Sequence, residues 1–246
     1  PEVLRPGTHL GRKRRLGEEM STITTIRKGA LEASIDSQGA QLMSLKLDGN
    51  EYLWQGDERF WPRRAPILFP IVGCLRNNFA KSAAGEVRLG RHGLARNYDH
   101  RIVEKTENSV TFELESTPET LRAYPYAFRL NMTYAVDGER MLQRFTVTNA
   151  GDEIMPFTLG GHPAFNVPAP KADGESFDDY ELRFTRPWTA VSPAIDTDGL
   201  CDFDRPFTLF EDADALPLSH GLFDKYLTLT FQDVPGRTVT LLGTKS

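Results

Sequence analysis

A polar–apolar alternation with a period of two recurs along this chain and constrains its fold more than any other feature. Alternation of this kind is typical of β-strands that bury one face. No segment shows the pattern of a long amphipathic helix, which disfavours a doubly wound α/β sheet with its repeated crossover helices. We therefore predict an all-β fold, a large antiparallel sandwich. The alternating segments are 31–35, 110–115, 128–134, 141–148, 181–184 and 226–231, and 238–242 is a further strand-like segment.

Turn and helix signals separate these segments. Asp137-Gly138 fits a tight hairpin between two strands. Pro118 suits the first turn of a short helix, and Pro125 ends that run. Segment 67–72 is a candidate core strand.

Composition removes several classes of function. The chain has 246 residues and a net charge of −5, which argues against a protein that coats DNA or an anionic membrane. No apolar run approaches the roughly 20 residues that span a bilayer. Cys74 and Cys201 are too few for a disulfide framework, so we expect a reduced, cytoplasmic protein.

The two ends of the chain carry separate expectations. Residues 1–19 contain the basic cluster 12–15 and are predicted to be a tail upstream of a native start at Met20, with a nucleic-acid arm as the alternative. We expect 20–246 to form one domain. Because the chain stops just after the strand-like segment 238–242, we expect this domain to lack its C-terminal strands.

Two of the five histidines have local settings that suit chemistry. His162 follows Gly160-Gly161, which allow close backbone approach, and precedes Pro163, which favours extended geometry. An imidazole placed there can exchange a proton near neutral pH, or it can simply be satisfied within a turn. His92 lies in a His-Gly turn between two arginines, which suits an oxygen-rich or anionic ligand or else forms a solvated basic loop.

A cluster of aromatic rings and arginines occupies 60–73. Rings beside Arg63 and Arg64 suit stacking on the C–H face of a sugar, although the same segment holds the candidate core strand. No HExxH, paired CxxC, G-x-S-x-G or G-x-x-x-x-G-K-[ST] motif occurs, which leaves little support for a metal site, a hydrolase elbow or a phosphate loop.

Taken together, these segments resemble the aldose 1-epimerase (galactose mutarotase-like) superfamily. The match is strongest to its bacterial LacX-like branch, which is near the hexose-6-phosphate epimerases. The resemblance runs from about Ile23 to the end of the chain and rests on the order and spacing of six motifs. These motifs are 39–46, 51–57, 61–73, 92–96, 124–126 and 160–166.

The resemblance implies a β-supersandwich and a cofactor-free interconversion of the α and β anomers of a hexose. In the family a glutamate base takes the proton of the anomeric hydroxyl, and a histidine acid protonates the ring oxygen. His162 matches that acid, and His92 matches the histidine that holds the sugar oxygens. The implied partner is a small-molecule sugar, with no nucleic acid or membrane. The weaker candidate substrate contacts are Arg76, Arg96, Asn166 and Asp224.

This chain departs from the family pattern at three places. The base glutamate has no match before Ser246, Cys74 stands where the family often has arginine, and Tyr226 takes the expected place of a sugar-binding aspartate. We favour an epimerase whose C-terminal segment is missing from this sequence. The alternatives are a relative that binds a sugar or sugar phosphate without catalysis and a hexose-6-phosphate 1-epimerase.

Overall fold

The computed structural model describes residues 21–226 and 228–245. The predicted tail at 1–19 and the start at Met20 lie outside the described residues. Within the described ranges, no helix has the length and apolar character needed to cross a bilayer.

Antiparallel β-structure dominates the molecule, as the alternation predicts. The first four-stranded sheet runs in chain order through β1 (Ile23–Lys28), β2 (Leu31–Asp36), β3 (Gln41–Leu47) and β4 (Asn50–Glu51). The second has the order β11-β10-β9-β8 and comprises β8 (Arg101–Lys105), β9 (Ser109–Glu115), β10 (Phe128–Asp137) and β11 (Arg140–Asn149).

Three smaller sheets complete the architecture. Two are pairs: β5 (Ile67–Leu68) with β12 (Gly160–Gly161), and β6 (Phe79–Ser82) with β7 (Gly85–Arg88). The third has the order β14-β13-β15 and comprises β13 (Tyr180–Ile195), β14 (Cys201–Pro217) and β15 (Val239–Gly243). The two α-helices of the described residues are α1 (Pro118–Ala123) and α2 (His220–Tyr226).

The main core lies between the two four-stranded sheets. Alternate residues of β10, among them Leu130, Met132 and Tyr134, have no exposed surface, and Phe112 of the neighbouring β9 is equally buried. The Tyr134 hydroxyl donates a 2.6 Å hydrogen bond to the Ala40 carbonyl, which satisfies the one polar atom of this ring inside the core. These inward faces are the apolar positions of the sequence pattern.

The local turn and helix predictions are confirmed. The β10–β11 hairpin closes with Asp137 opposite Arg140, and Gly138 takes a φ of 60° between them. The helix α1 begins at Pro118, where the Thr117 side chain accepts a hydrogen bond from the backbone N–H of Thr120.

Two strand predictions need correction. The predicted strand at 226–231 is wrong, because Tyr226 ends α2 and residues 228–238 lie outside any strand. The Ser219 hydroxyl accepts a hydrogen bond from the backbone N–H of Leu222. This capping contact stabilises the first turn of α2, the helix that contains Tyr226. The predicted strand at 67–72 shortens to β5, since Pro70 has no N–H to donate to a ladder.

Candidate active site

The loop that carries His92 is held against the segment after β5. The backbone N–H of His92 donates to the Gly73 carbonyl at 2.6 Å, and the Leu94 N–H donates to the Phe69 carbonyl at 2.8 Å. Gly93 has a φ of 71°, and a Cβ there would lie 2.3 Å from the Phe69 carbonyl oxygen. Only glycine tolerates both this angle and this approach, so the His-Gly pair is what lets the loop dock.

His162 reaches the same place through the short pairing of β12 with β5. Gly161 lies opposite Ile67, and the His162 N–H donates to the Pro66 carbonyl at 3.1 Å. A Cβ on Gly161 would stand 3.1 Å from the Gln143 side-chain oxygen, so glycine also allows β12 to pack closely on β11. The two segments that bear the histidines are thus neighbours of the same β5 strand.

The two imidazoles lie side by side. The ring centroids of His92 and His162 are 5.6 Å apart, with an interplanar angle of 68°. The His162 ring also packs against the Trp61 ring, with the two ring centroids 5.0 Å apart and an interplanar angle of 36°. His162 is exposed and His92 is half-buried, so a ligand can approach the pair from solvent. We call His92 and His162 the histidine pair.

His92 is neutral over the ordinary pH range. Burial, together with the positive charges of Arg96, His162, Arg91 and Arg63, lowers its pKa from 6.5 to about 4. The Gly73 N–H donates to His92 Nδ1 at 3.0 Å, so the single proton of the neutral ring is on Nε2. The His92 ring is therefore a hydrogen-bond donor at Nε2, suited to a sugar or carbonyl oxygen.

Arg96 is one of the predicted substrate contacts, and its guanidinium lies beside the loop that carries His92. It is half-buried, and its Nη2 donates to the Arg91 carbonyl at 2.6 Å. Burial, and then the charges of Arg63 and Arg91, lower the pKa of Arg96. Positive charge is thus concentrated around His92.

The structure gives the other three predicted contact residues different surroundings. Arg76 forms ion pairs with Asp198 at 2.8 Å and Asp196 at 3.4 Å. Asn166 donates from its amide to two backbone carbonyls at 3.0 and 3.1 Å, which fixes the chain beside β4. Asp224 is exposed on α2. Within the described residues, none of the three forms a hydrogen bond or ion pair with the histidine pair, and their roles stay predictions.

The sequence patterns assign no role to two residues that contribute to the site. Gly73 sets the His92 tautomer through its backbone, and Trp61 packs on the ring of His162. The clustering of aromatic residues with arginines in 60–73 marks the right segment but cannot say which ring meets which histidine. Within the described ranges, no group of three or more His, Cys, Asp or Glu side chains could hold a metal ion.

Residues 21–239 match the family model for aldose 1-epimerase. The chain is 37% identical over 224 residues to the plasmid-encoded protein LacX of Lactococcus lactis subsp. lactis, a match that covers 88% of this chain and 74% of the relative. The chromosomal LacX of the same subspecies is 37% identical over 226 residues, again covering 88% and 74% of the two chains.

Solved structures lead to the same family. A galactose mutarotase related enzyme from Lactobacillus acidophilus superposes with a TM-score of 0.76 at 33% identity, covering 82% of this chain and 67% of that one. A galactose mutarotase-like protein from Lactobacillus casei gives 0.74 at 36% identity, covering 82% and 69%. The fold is the galactose mutarotase-like sandwich, and the chain belongs to the aldose 1-epimerase family, in its LacX-like branch.

Proposed function

We propose that this protein is a mutarotase that interconverts the α and β anomers of a hexose by acid–base opening of the sugar ring. The observation that carries the proposal is the histidine pair, one ring exposed and one held as a neutral donor, 5.6 Å apart. Family membership supports an isomerase acting on a sugar. No step of the reaction requires a redox or group-transfer partner.

His162 is the proposed general acid. Its protonated ring gives a proton to the ring oxygen of the pyranose while a base takes the proton of the anomeric hydroxyl. The C1–O5 bond breaks and the aldehyde forms. Rotation about C1–C2 and the reverse proton transfers then close the ring on the other face, so that both catalysts return to their starting states.

His92 is the proposed orienting residue. Its Nε2–H donates to a sugar oxygen, and because the pKa of His92 is about 4 the ring keeps this neutral donor form at neutral pH. A fixed donor stabilises negative charge as it develops on oxygen without reorganising during the reaction. The loop bonds to Gly73 hold this donor in one orientation.

The second candidate is a protein that binds a sugar or sugar phosphate without turning it over. One observation favours it: among residues 21–226 and 228–245, no carboxylate forms a hydrogen bond or ion pair with either member of the histidine pair. The general base is therefore unassigned. Calorimetric binding of a sugar with no acceleration of anomer exchange supports this candidate over the mutarotase.

Anomer exchange in freshly dissolved α-glucose and α-galactose tests the proposal. We expect the protein to accelerate exchange and His162→Ala to remove about 10²–10⁴-fold of that acceleration. His220→Ala is the matched control, because His220 is an exposed histidine that packs on Phe177 in another part of the molecule. Exchange at the spontaneous rate with the unaltered protein would overturn catalysis by this chain.

A further inference from the structure

The turn between β13 and β14 packs beside the loop that carries His92. This turn, residues 196–200, joins two strands of the β14-β13-β15 sheet. It is fixed internally, because the Asp196 side chain accepts the backbone N–H groups of Asp198 and Leu200 at 2.9 and 2.8 Å. The Asp196 N–H donates in turn to the Leu200 carbonyl at 2.8 Å. We call residues 196–200 the strap.

One contact of the strap is with Arg91, the residue directly before His92. Gly199 has a φ of 78°, and a Cβ at that position would lie 2.8 Å from Arg91 Nη2. This approach is too close for a real Cβ, so any side chain at position 199 would have to displace the guanidinium. The glycine therefore lets the Arg91 guanidinium lie directly against the backbone of the strap.

A second contact is with Cys74, the residue directly after Gly73. Its Sγ lies 3.9 Å from the Gly199 carbonyl oxygen, to which the thiol donates a weak hydrogen bond. The Arg76 guanidinium adds an ion pair with Asp198 at 2.8 Å. A cavity of about 240 Å³ remains between the strap and these side chains, so the attachment of the strap depends on a small number of contacts.

The strap thus holds the chain on both sides of the contact between Gly73 and His92. In that contact the His92 N–H donates to the Gly73 carbonyl at 2.6 Å, and the Gly73 N–H donates to His92 Nδ1 at 3.0 Å. Arg91 adjoins His92 in the chain, and Cys74 adjoins Gly73. One turn therefore bridges the two segments whose relative position fixes the His92 ring.

His92 needs such support because its backbone is strained. Its φ is 66°, in the left-handed region that an L side chain rarely adopts, and Gly93 after it has a φ of 71°. A side chain stays in this region only where the surrounding structure fixes it. The bonds to Gly73 supply part of that support, and the strap holds the residues that adjoin them.

We propose that the strap positions His92 for the reaction at the histidine pair, and that Gly199 is its positioning residue. The inference rests on the proposed function of the pair and adds a turn of the β14-β13-β15 sheet to it. By holding Arg91 and Cys74, the strap keeps the contact between Gly73 and His92 closed. That contact fixes the direction in which the His92 Nε2–H points, and a donor stabilises developing charge only while it keeps its orientation.

Replacement of Gly199 by leucine tests the proposal. The leucine must displace the Arg91 guanidinium, and we expect kcat for anomer exchange to fall about 10–100-fold while KM changes less, because a misplaced donor costs most in the transition state. Gly174→Leu is the matched control. Gly174 has a φ of 79° with no described atom within 4 Å of the position of a Cβ, so both variants carry the same backbone strain and only one meets Arg91.

Hydrogen exchange of the Gly73 amide gives a readout that does not depend on catalysis. Its N–H is bonded to His92 Nδ1, so opening of this contact in Gly199→Leu should raise its exchange rate by about tenfold. The rate should stay unchanged in Gly174→Leu. A fall in kcat without faster hydrogen exchange at Gly73 would reject the strap, because the loss would then arise elsewhere.

Arg91→Lys separates packing from charge and serves if Gly199→Leu fails to fold, which its melting temperature shows. It keeps the positive charge beside His92 and removes the planar guanidinium that lies on Gly199. We expect it to lower kcat and to speed hydrogen exchange at Gly73, whereas Arg140→Lys, at the exposed start of β11, should change neither. If Arg91→Lys raises KM alone, Arg91 binds substrate directly and the positioning role is rejected.

The failure of this inference differs from the failure of the proposed function. If Gly199→Leu and Gly174→Leu have the same kcat and the same hydrogen exchange rate at Gly73, the strap is rejected and the mutarotase stands. If the unaltered protein does not accelerate anomer exchange, the mutarotase is rejected. Hydrogen exchange at Gly73 then decides alone: a faster rate in Gly199→Leu supports the strap, and an unchanged rate rejects it.

Discussion

Two regions of this molecule bury their apolar residues to different extents. The amino-terminal core, residues 23–166, surrounds one continuous cluster in which Phe112 and Leu130 have no exposed surface. The carboxy-terminal sheet, β13 to β15, spans 180–243 and contributes no residue to that cluster. It has a separate aromatic group, with Phe184 and Trp188 at 5.3 Å.

Pairing in the two regions differs as well. β10 pairs with β11 over ten residues without a register shift, whereas β13 and β14 shift register at four points. Val239, Leu241 and Leu242 of β15 leave 45%, 38% and 42% of their surfaces exposed. Both members of the histidine pair belong to the amino-terminal core. The more regular region therefore holds the two proposed catalytic side chains, and rigid support for a site is what precise orientation requires.

The largest expected effect is the difference in unfolding free energy between two leucine-to-alanine variants, one in each region. Leu130→Ala empties a fully buried position and should lower the free energy of unfolding by about 2–5 kcal/mol. Leu242→Ala removes a side chain that is 42% exposed and should cost well under half as much. Chemical denaturation of both variants gives the comparison, and equal losses would show that the two regions are packed alike.

Two glycines with similar angles sharpen the role of the His92 loop. Gly29 has a φ of 61° with no atom within 4 Å of the position that a Cβ would take, and Gly93 has a φ of 71° against the Phe69 carbonyl. Each change to alanine should cost about 1–2 kcal/mol from backbone conformation alone. Gly93→Ala must also displace the loop, and a shift of about 1 Å can cost on the order of a hundredfold in rate.

Anomer exchange rates of the two glycine variants check this expectation. Gly29→Ala lies in the β1–β2 turn and serves as the control for conformational cost without a clash. Equal activity in both variants would mean that the contact between Gly93 and Phe69 does not position His92.

Much of this fold can be predicted from local patterns, because local physics decides it. The alternation in 128–134 predicts β10, and a proline at a first-turn position predicts α1. The strand prediction at 226–231 fails because the alternation there is short. An irregular segment that buries every other side chain has the same short pattern as a strand. There Phe231 packs on Phe184 at 5.6 Å without forming a strand.

The site is less accessible from sequence than the strands. Its two histidine motifs stand out through their glycines, but the rings meet only because β5 pairs with β12. That contact joins segments far apart along the chain, and no local pattern encodes it. The same holds for the convergence of Arg63 with Arg96, which depends on loops from different parts of the chain.

The pH dependence of stability should show a modest contribution from His92. Its pKa is about 4 in the folded protein and about 6.5 when unfolded, so between these values the unfolded chain binds more protons. Its contribution to stability is therefore complete above pH 6.5 and is lost as the pH falls toward 4. Buried His100 has a pKa lowered in the same direction and adds to the slope.

Removing the ring isolates this contribution. His92→Asn should flatten the decline in unfolding free energy between pH 6.5 and 4, while the contribution of His100 persists. NMR titration of the His92 ring provides a direct check. A midpoint near 6.5 would contradict the assignment of His92 as a neutral donor.

The smallest effect should come from an ion pair that joins the two regions. Arg76 follows the Gly73 segment of the core, and its partner Asp198 lies in the β13–β14 turn. Both side chains are more than 60% exposed, so a double-mutant cycle of Arg76→Gln and Asp198→Asn should give a coupling below about 1 kcal/mol.

The same variants also test the predicted substrate contact of Arg76. If Arg76→Gln raises KM for the sugar tenfold while Asp198→Asn does not, Arg76 leaves its ion pair to bind substrate. If both variants keep KM, the predicted substrate contact at Arg76 is rejected, and the arginine serves only to hold the carboxy-terminal sheet near the site.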